Sequence, residues 1–136
     1  YLVKRKSDEY GERFEAAGGK VFYAEKDKKY ESLKTFIETS DLLMDGVLGT
    51  GIKLPLKAPV PDLLMAVNDV LDVLDEPPYV IAVDCPSGVD SDTGEAADEC
   101  IPADMTVTMA AVKAMALAVK VMAARAMAAS PLPFSG

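Results

Sequence analysis

The chain has 136 residues, half of them hydrophobic and 26% charged, which suits one domain with its own core and excludes a disordered segment. A net charge of −8 argues against a nucleic-acid partner, which requires a basic face, but leaves room for a small anionic ligand. Histidine is absent, which removes Ser-His-Asp and Cys-His catalysis and His-ligated zinc. Cys85 and Cys100 are too few and too far apart for a zinc site or a disulfide framework, so they read as reduced thiols in a cytosol-like compartment.

In chain order, Tyr1-Leu2-Val3 ahead of Lys4-Arg5-Lys6 reads as the tail of a strand already under way. Further residues of the same domain are therefore expected before position 1. Ser7 suits the cap of a short helix with Asp8 and Glu9 in its first turn, Phe14 as its apolar contact and Gly18-Gly19 as its stop. Residues 20–24 form a short predicted strand, 26–29 a charged, solvated connection, and 31–39 a helix with Leu33, Phe36 and Ile37 on one face. Residues 41–48 predict a second strand that runs into Gly49-Thr50-Gly51 and then Ile52-Lys53-Leu54-Pro55. Gly-Thr-Gly lets a backbone approach a ligand and turn its N–H groups outward, but it is also compatible with a plain tight turn.

Pro61 fits the first turn of a helix in which Leu63, Leu64, Val67, Val70, Leu71 and Leu74 recur at helical spacing, ended by Glu76-Pro77-Pro78. A continuous apolar run from Tyr79 to Val83 follows, as in a buried parallel strand, and stops at Asp84. Strand, helix, strand makes a βαβ unit, whose crossover is right-handed in nearly all cases. Asp45 and Asp84 then lie at the outlets of two parallel strands, with Ser87 and the Gly-rich loop at the same sheet edge. Open α/β sheets keep their chemistry at that edge. Asp84 alone also fits a plain turn cap, a frequent role of Asp. Residues 105–109 predict a further strand, and 110–130 a helix on the sheet with Val112, Met115, Val119 and Met122 on one stripe. The charges Lys113, Lys120 and Arg125 argue against a membrane span there, and Met in such a stripe is core filler. No internal repeat is present.

Three segments resemble one family in order and spacing: Asp45-Gly-Val-Leu-Gly-Thr-Gly51; Val83-Asp-Cys-Pro-Ser-Gly88 with Asp92-Thr-Gly94; and Ala103-Asp-Met-Thr-Val-Thr108 followed by Ala110-Ala-Val-Lys113. They are similar to the YjeF N-terminal domain, the NAD(P)HX epimerase that often precedes a dehydratase domain in a bifunctional repair enzyme. The resemblance covers residues 1–113 of a chain read as a single domain, 1–136, and leaves 114–136 outside it. It implies a Rossmann-like three-layer α/β/α sandwich with a mainly parallel sheet, acting on NADHX or NADPHX by interconverting their R and S epimers.

By the same resemblance, Asp45 and Ser87 correspond to potassium ligands. Gly49, Thr50, Gly51, Ile52, Lys53, Leu54 and Pro55 correspond to the substrate loop, and Asp84 to the acid beside the damaged ring. A homo-oligomer, a cytoplasmic location and a fused dehydratase domain are further implications; no nucleic-acid or membrane partner is. Two departures stand out. The family's phosphate loop, Gly-Asn-Asn-Gly-Gly-Asp-Gly, does not occur in this chain and would fall upstream of Tyr1. The Ala/Met-rich sequence after Lys113 differs from the family's usual continuation, which removes the basis for a role of Lys113. The alternative to an enzyme is a non-catalytic Rossmann-like module for protein or RNA contacts, which has no need of Asp45, Asp84 and Ser87 together. A serine hydrolase built on Ser87 lacks the histidine to activate it.

Overall fold

The structure is a computed structural model that describes residues 1–3 and 9–109. The Ser7 cap, the 110–130 helix and Lys113 fall outside the described residues. Three helices, α1 (Glu9–Ala16), α2 (Glu31–Glu38) and α3 (Val60–Leu71), accompany three strands, β1 (Leu42–Asp45), β2 (Tyr79–Val83) and β3 (Met105–Val107). The strands form one sheet in the order β1-β2-β3, parallel throughout, with α3 as the crossover from β1 to β2. The α/β class and the parallel βαβ unit are thus as the sequence predicts, and the arrangement is Rossmann-like.

Register fixes what each face carries, because residues paired across parallel strands point the same way. Leu43 pairs with Val80, and Asp45 with Ala82 and through it Thr106, on one face. Against that face lie Leu33 and Ile37 of α2 and Leu63, Leu64, Val67 and Val70 of α3, closing the core with Ile101. α2 and α3 also pack on each other. Their apolar residues recur at helical spacing, so each helix buries one stripe. Leu74 lies past the end of α3 but still packs against the core.

Several predicted elements are shorter than their sequence patterns. Residues 20–24 contribute one parallel bridge, Leu2 with Tyr23, held by Leu2 N–H to the Phe22 carbonyl (2.8 Å) and Ala24 N–H to the Leu2 carbonyl (2.9 Å). β1 stops at Asp45 because that side chain accepts the Val47 N–H (3.4 Å), turning the chain at Gly46. β3 is preceded by Asp104, whose carboxylate takes the Val80 N–H (2.7 Å) while its own N–H goes to the Val80 carbonyl (2.9 Å).

The charged stretch 26–29 is not simply solvated. It lies in two 3₁₀ turns, Ala24–Lys26 and Lys28–Tyr30, with Lys29 and Tyr30 both at positive φ. Asp27 reaches forward from between them to accept the N–H groups of Ser32 and Leu33 (both 3.0 Å), and it also accepts the Tyr1 hydroxyl (2.9 Å). Burial pushes the Asp27 carboxyl up, but these three donors outweigh it and hold it below its ordinary value. Burial, and then Asp27 itself, push the Tyr1 hydroxyl well above its ordinary range. Phe14 is mostly exposed, and its ring lies where a side chain on Gly19 would have to sit.

Candidate functional site

The C-terminal edge of the sheet is built from two loops bonded to each other. Asp45, at the end of β1, is 2% exposed, and Ser87, in the loop after β2, is fully buried. The Ser87 N–H donates to one Asp45 oxygen (2.6 Å), and the Ser87 hydroxyl donates to the other. The same hydroxyl accepts the Leu48 N–H (2.9 Å), so one serine ties the β2 outlet both to Asp45 and to the loop that runs on to Gly49. No Lys or Arg of the described residues pairs with Asp45; its partners are uncharged donors. A buried carboxylate without a cation is costly, which makes this the chemically demanding point of the edge.

The loop after β2 is fixed from behind. Gly88 has φ +102, and a Cβ there would stand 2.9 Å from the Cys100 Cα, so glycine is required by both backbone and space. The Ala97 N–H donates to the Gly88 carbonyl (2.9 Å) and the Ile101 N–H to the Ser87 carbonyl (3.2 Å). From α3, the Asn68 amide donates to the carbonyls of Glu99 (3.0 Å) and Cys100 (3.2 Å). Cys85, Val89 and Cys100 form a small buried cluster under the loop. Burial first, then the Asp45 charge, push the Cys100 thiol up to about 12, so it stays a neutral packing group.

Asp84 is placed differently. It is half-buried with φ +69, a left-handed conformation that breaks the strand's alternation as the chain leaves β2. Its N–H donates to the Val107 carbonyl (2.8 Å), and one carboxylate oxygen accepts the Met109 N–H (3.3 Å). Asp84 is therefore anchored to the β3 outlet, whereas Asp45 and Ser87 are joined at the β1 outlet. Its second oxygen has no hydrogen bond within the described residues.

The 49–55 loop leaves this edge with Gly49, Thr50 and Gly51 exposed, Gly51 at φ +86, and open space where a Cβ of Gly49 or Gly51 would be. Farther along the β2 loop, Asp90 accepts the N–H groups of Asp92 (2.9 Å) and Thr93 (3.3 Å). The Asp92 N–H chiefly holds its carboxyl below the ordinary value, against burial, and Thr93 and the Lys53 charge add to the lowering. Lys53 thus feels a carboxylate of the neighbouring loop. The bracing by Asn68 and the Ile101 return were not apparent in the sequence; both are contacts between distant segments that no local pattern signals.

A parallel α/β sheet with carboxylates and a serine collected at its C-terminal edge has the arrangement with which open α/β sheets bind small molecules. The family model described as YjeF-related protein N-terminus matches residues 2–115, and the chain belongs to that family. The chain is 40% identical over 68 residues to an NAD(P)H-hydrate epimerase of Cenarchaeum symbiosum (strain A), a match covering 50% of this chain and 29% of that protein. It is 36% identical over 77 residues to an NAD(P)H-hydrate epimerase of Rhodopirellula baltica, covering 57% of this chain and 29% of the relative. A bifunctional NAD(P)H-hydrate repair enzyme of Leishmania major is 40% identical over 73 residues, 54% of this chain but 12% of that protein. The match therefore spans less than a third of each of these relatives. No helix among the described residues is long and apolar enough to cross a membrane.

Proposed function

We propose that this chain carries the site of an NAD(P)H-hydrate epimerase, which interconverts the R and S epimers of NADHX and NADPHX. The observation that carries the reading is the wiring of one sheet edge. Asp45, Ser87 and the Leu48 N–H are joined there, Asp84 has one carboxylate oxygen without a hydrogen bond among the described residues, and the open 49–55 loop leaves from the same edge. Membership of a family whose curated relatives are named for this activity supports it.

Epimerisation requires the ring carbon's C–O bond to break and re-form on the opposite face. As the hydroxyl leaves, the ring nitrogen's electron pair moves into a C=N bond and the ring becomes cationic; water then adds from the other side and gives up a proton. Asp84 acts at the oxygen on its own side of the ring. In its protonated form it gives the proton with which the hydroxyl departs as water, and the carboxylate left behind steadies the cationic ring. In the reverse direction it takes that proton back from the water that adds on its side. The Met109 N–H holds the other oxygen and so orients the carboxylate. Residues 49–55 pack against the rest of the cofactor, with Gly51 allowing close backbone approach.

The donor set at Asp45 and Ser87 fits a potassium ion. Both residues offer hard oxygen atoms with lone pairs beyond those used in their mutual bonds, and the buried Asp45 charge has no cationic partner among the described residues. When bound, such an ion would offset the negative charge of Asp45 and of the substrate's pyrophosphate. A fused dehydratase domain, a homo-oligomeric state and a cytoplasmic location belong to the same proposal.

The test is consumption of R-NADHX by the full-length protein, with an S-specific dehydratase in excess to remove the S epimer as it forms. Conversion well above the spontaneous rate, dependent on potassium, is the expected result. A folded full-length protein that leaves the spontaneous rate unchanged would overturn the proposal.

A further inference from the structure

The net charge of −8 is gathered in one stretch of the chain. Residues 58–112 contain twelve Asp or Glu and no Lys or Arg, so the rest of the chain is net positive. Within that stretch, α3 and residues 96–102 line the two walls of a groove of about 510 Å³. Met65, Asn68, Asp69 and Asp72 stand on the α3 wall, where spacings of three and four place them on one helical face. Asp98 and Glu99 stand on the other wall. Apolar surface accompanies these charges: Met65 is 53% exposed, and Ala97 and Pro102 also line the groove.

We propose that this groove docks a basic segment of a partner protein, apolar on one side and carrying Lys or Arg along its flanks. None of the four carboxylates is paired with a cation among the described residues. No three acids among those residues are grouped to hold one metal ion. The charge is therefore strung along the groove and not gathered at a point, which suits cations spaced along a peptide. Asn68 holds the two walls together, its amide donating to the carbonyls of Glu99 and Cys100, so the groove is formed before anything binds. The Asn68 Oδ1 is buried and has no hydrogen-bond partner among the described residues. An unpaired buried acceptor is costly, and a Lys or Arg N–H reaching into the groove would satisfy it. Neither Asp84 nor any residue of the 49–55 loop lines the groove, so a docked segment leaves the proposed substrate site open.

Fluorescence anisotropy tests this with the full chain in about 0.15 M salt, where long-range attraction is screened. The probe is a labelled helical peptide of Leu, Ala and Lys, with Leu on one face and Lys on its flanks; its counterpart carries Glu in place of Lys. Saturable binding of the basic peptide alone is expected. Asp69→Lys with Asp72→Lys should weaken it by about tenfold or more. Asp75→Lys with Glu76→Lys, the same charge change at exposed positions outside the groove, should weaken it by less than about threefold. Asp98→Lys repeats the test from the other wall. Amide NMR shifts on adding the peptide should cluster at 65–72 and 96–102. No binding, equal binding of the acidic peptide, equal loss in the two charge pairs, or shifts centred elsewhere would overturn the proposal. Displacement of the peptide by an equimolar polyamine would overturn it as well, assigning the groove to a small polycation.

Discussion

Ser87 donates twice to Asp45, from its N–H and its hydroxyl, and that hydroxyl also accepts from Leu48, so one buried residue ties the loop after β2 to Asp45 and to the loop beyond it. Ser87→Ala removes one charge-assisted bond and leaves the Leu48 N–H unsatisfied, a loss of roughly 2–4 kcal/mol. Urea unfolding should show it as a lower midpoint with an unchanged slope. Gly88→Ala is expected to be comparably severe: a left-handed φ costs an alanine about 1–2 kcal/mol, and its methyl meets Cys100 backbone that cannot move freely. A thermal scan of that variant within a degree of the parent would contradict this account of the loop. An acid at the end of an apolar strand was visible in the sequence at both Asp45 and Asp84. Their different anchoring was not, because it depends on hydrogen bonds to Ser87 and Met109 made in the folded chain.

α2 and α3 were legible because helical spacing repeats over enough residues to define a buried stripe. The strands were legible as elements but not at their ends, since a side-chain bond such as Asp45 to Val47 ends β1 where composition still reads as strand. Asp27 shows the converse. Surrounded by lysines it reads as solvent-facing, yet it captures two N–H groups at the start of α2. Asp27→Asn should cost about 1 kcal/mol near neutrality, in the range of a lost helix cap. The pH dependence has a definite sign. The folded carboxyl lies below its ordinary 3.8, so its contribution is complete above that value and is lost as pH falls through the lowered one. Melting temperatures of parent and variant should therefore converge as pH drops from 5 towards 2. A gap that holds constant across that range would show the carboxylate charge to be irrelevant.

At the scale of the whole molecule, a net charge of −8 coexists with the proposed binding of an anionic substrate. Local N–H groups, Lys53 and a bound cation would have to supply the attraction that the overall charge does not. The parallel sheet and its crossover followed from the sequence, and so did family membership through three ordered segments. What the sequence left open was which sheet face α2 and α3 would cover, since that needs the register as well as the apolar pattern. The most direct test of the central claim compares Asp84→Asn with the parent full-length protein, measuring both R-NADHX affinity and the rate of its conversion to the S epimer. The account predicts affinity within a few-fold of the parent and a rate reduced by about 10²–10⁴. A variant that binds and epimerises at the parental rate would show that Asp84 is only a turn residue and that the chemistry lies elsewhere.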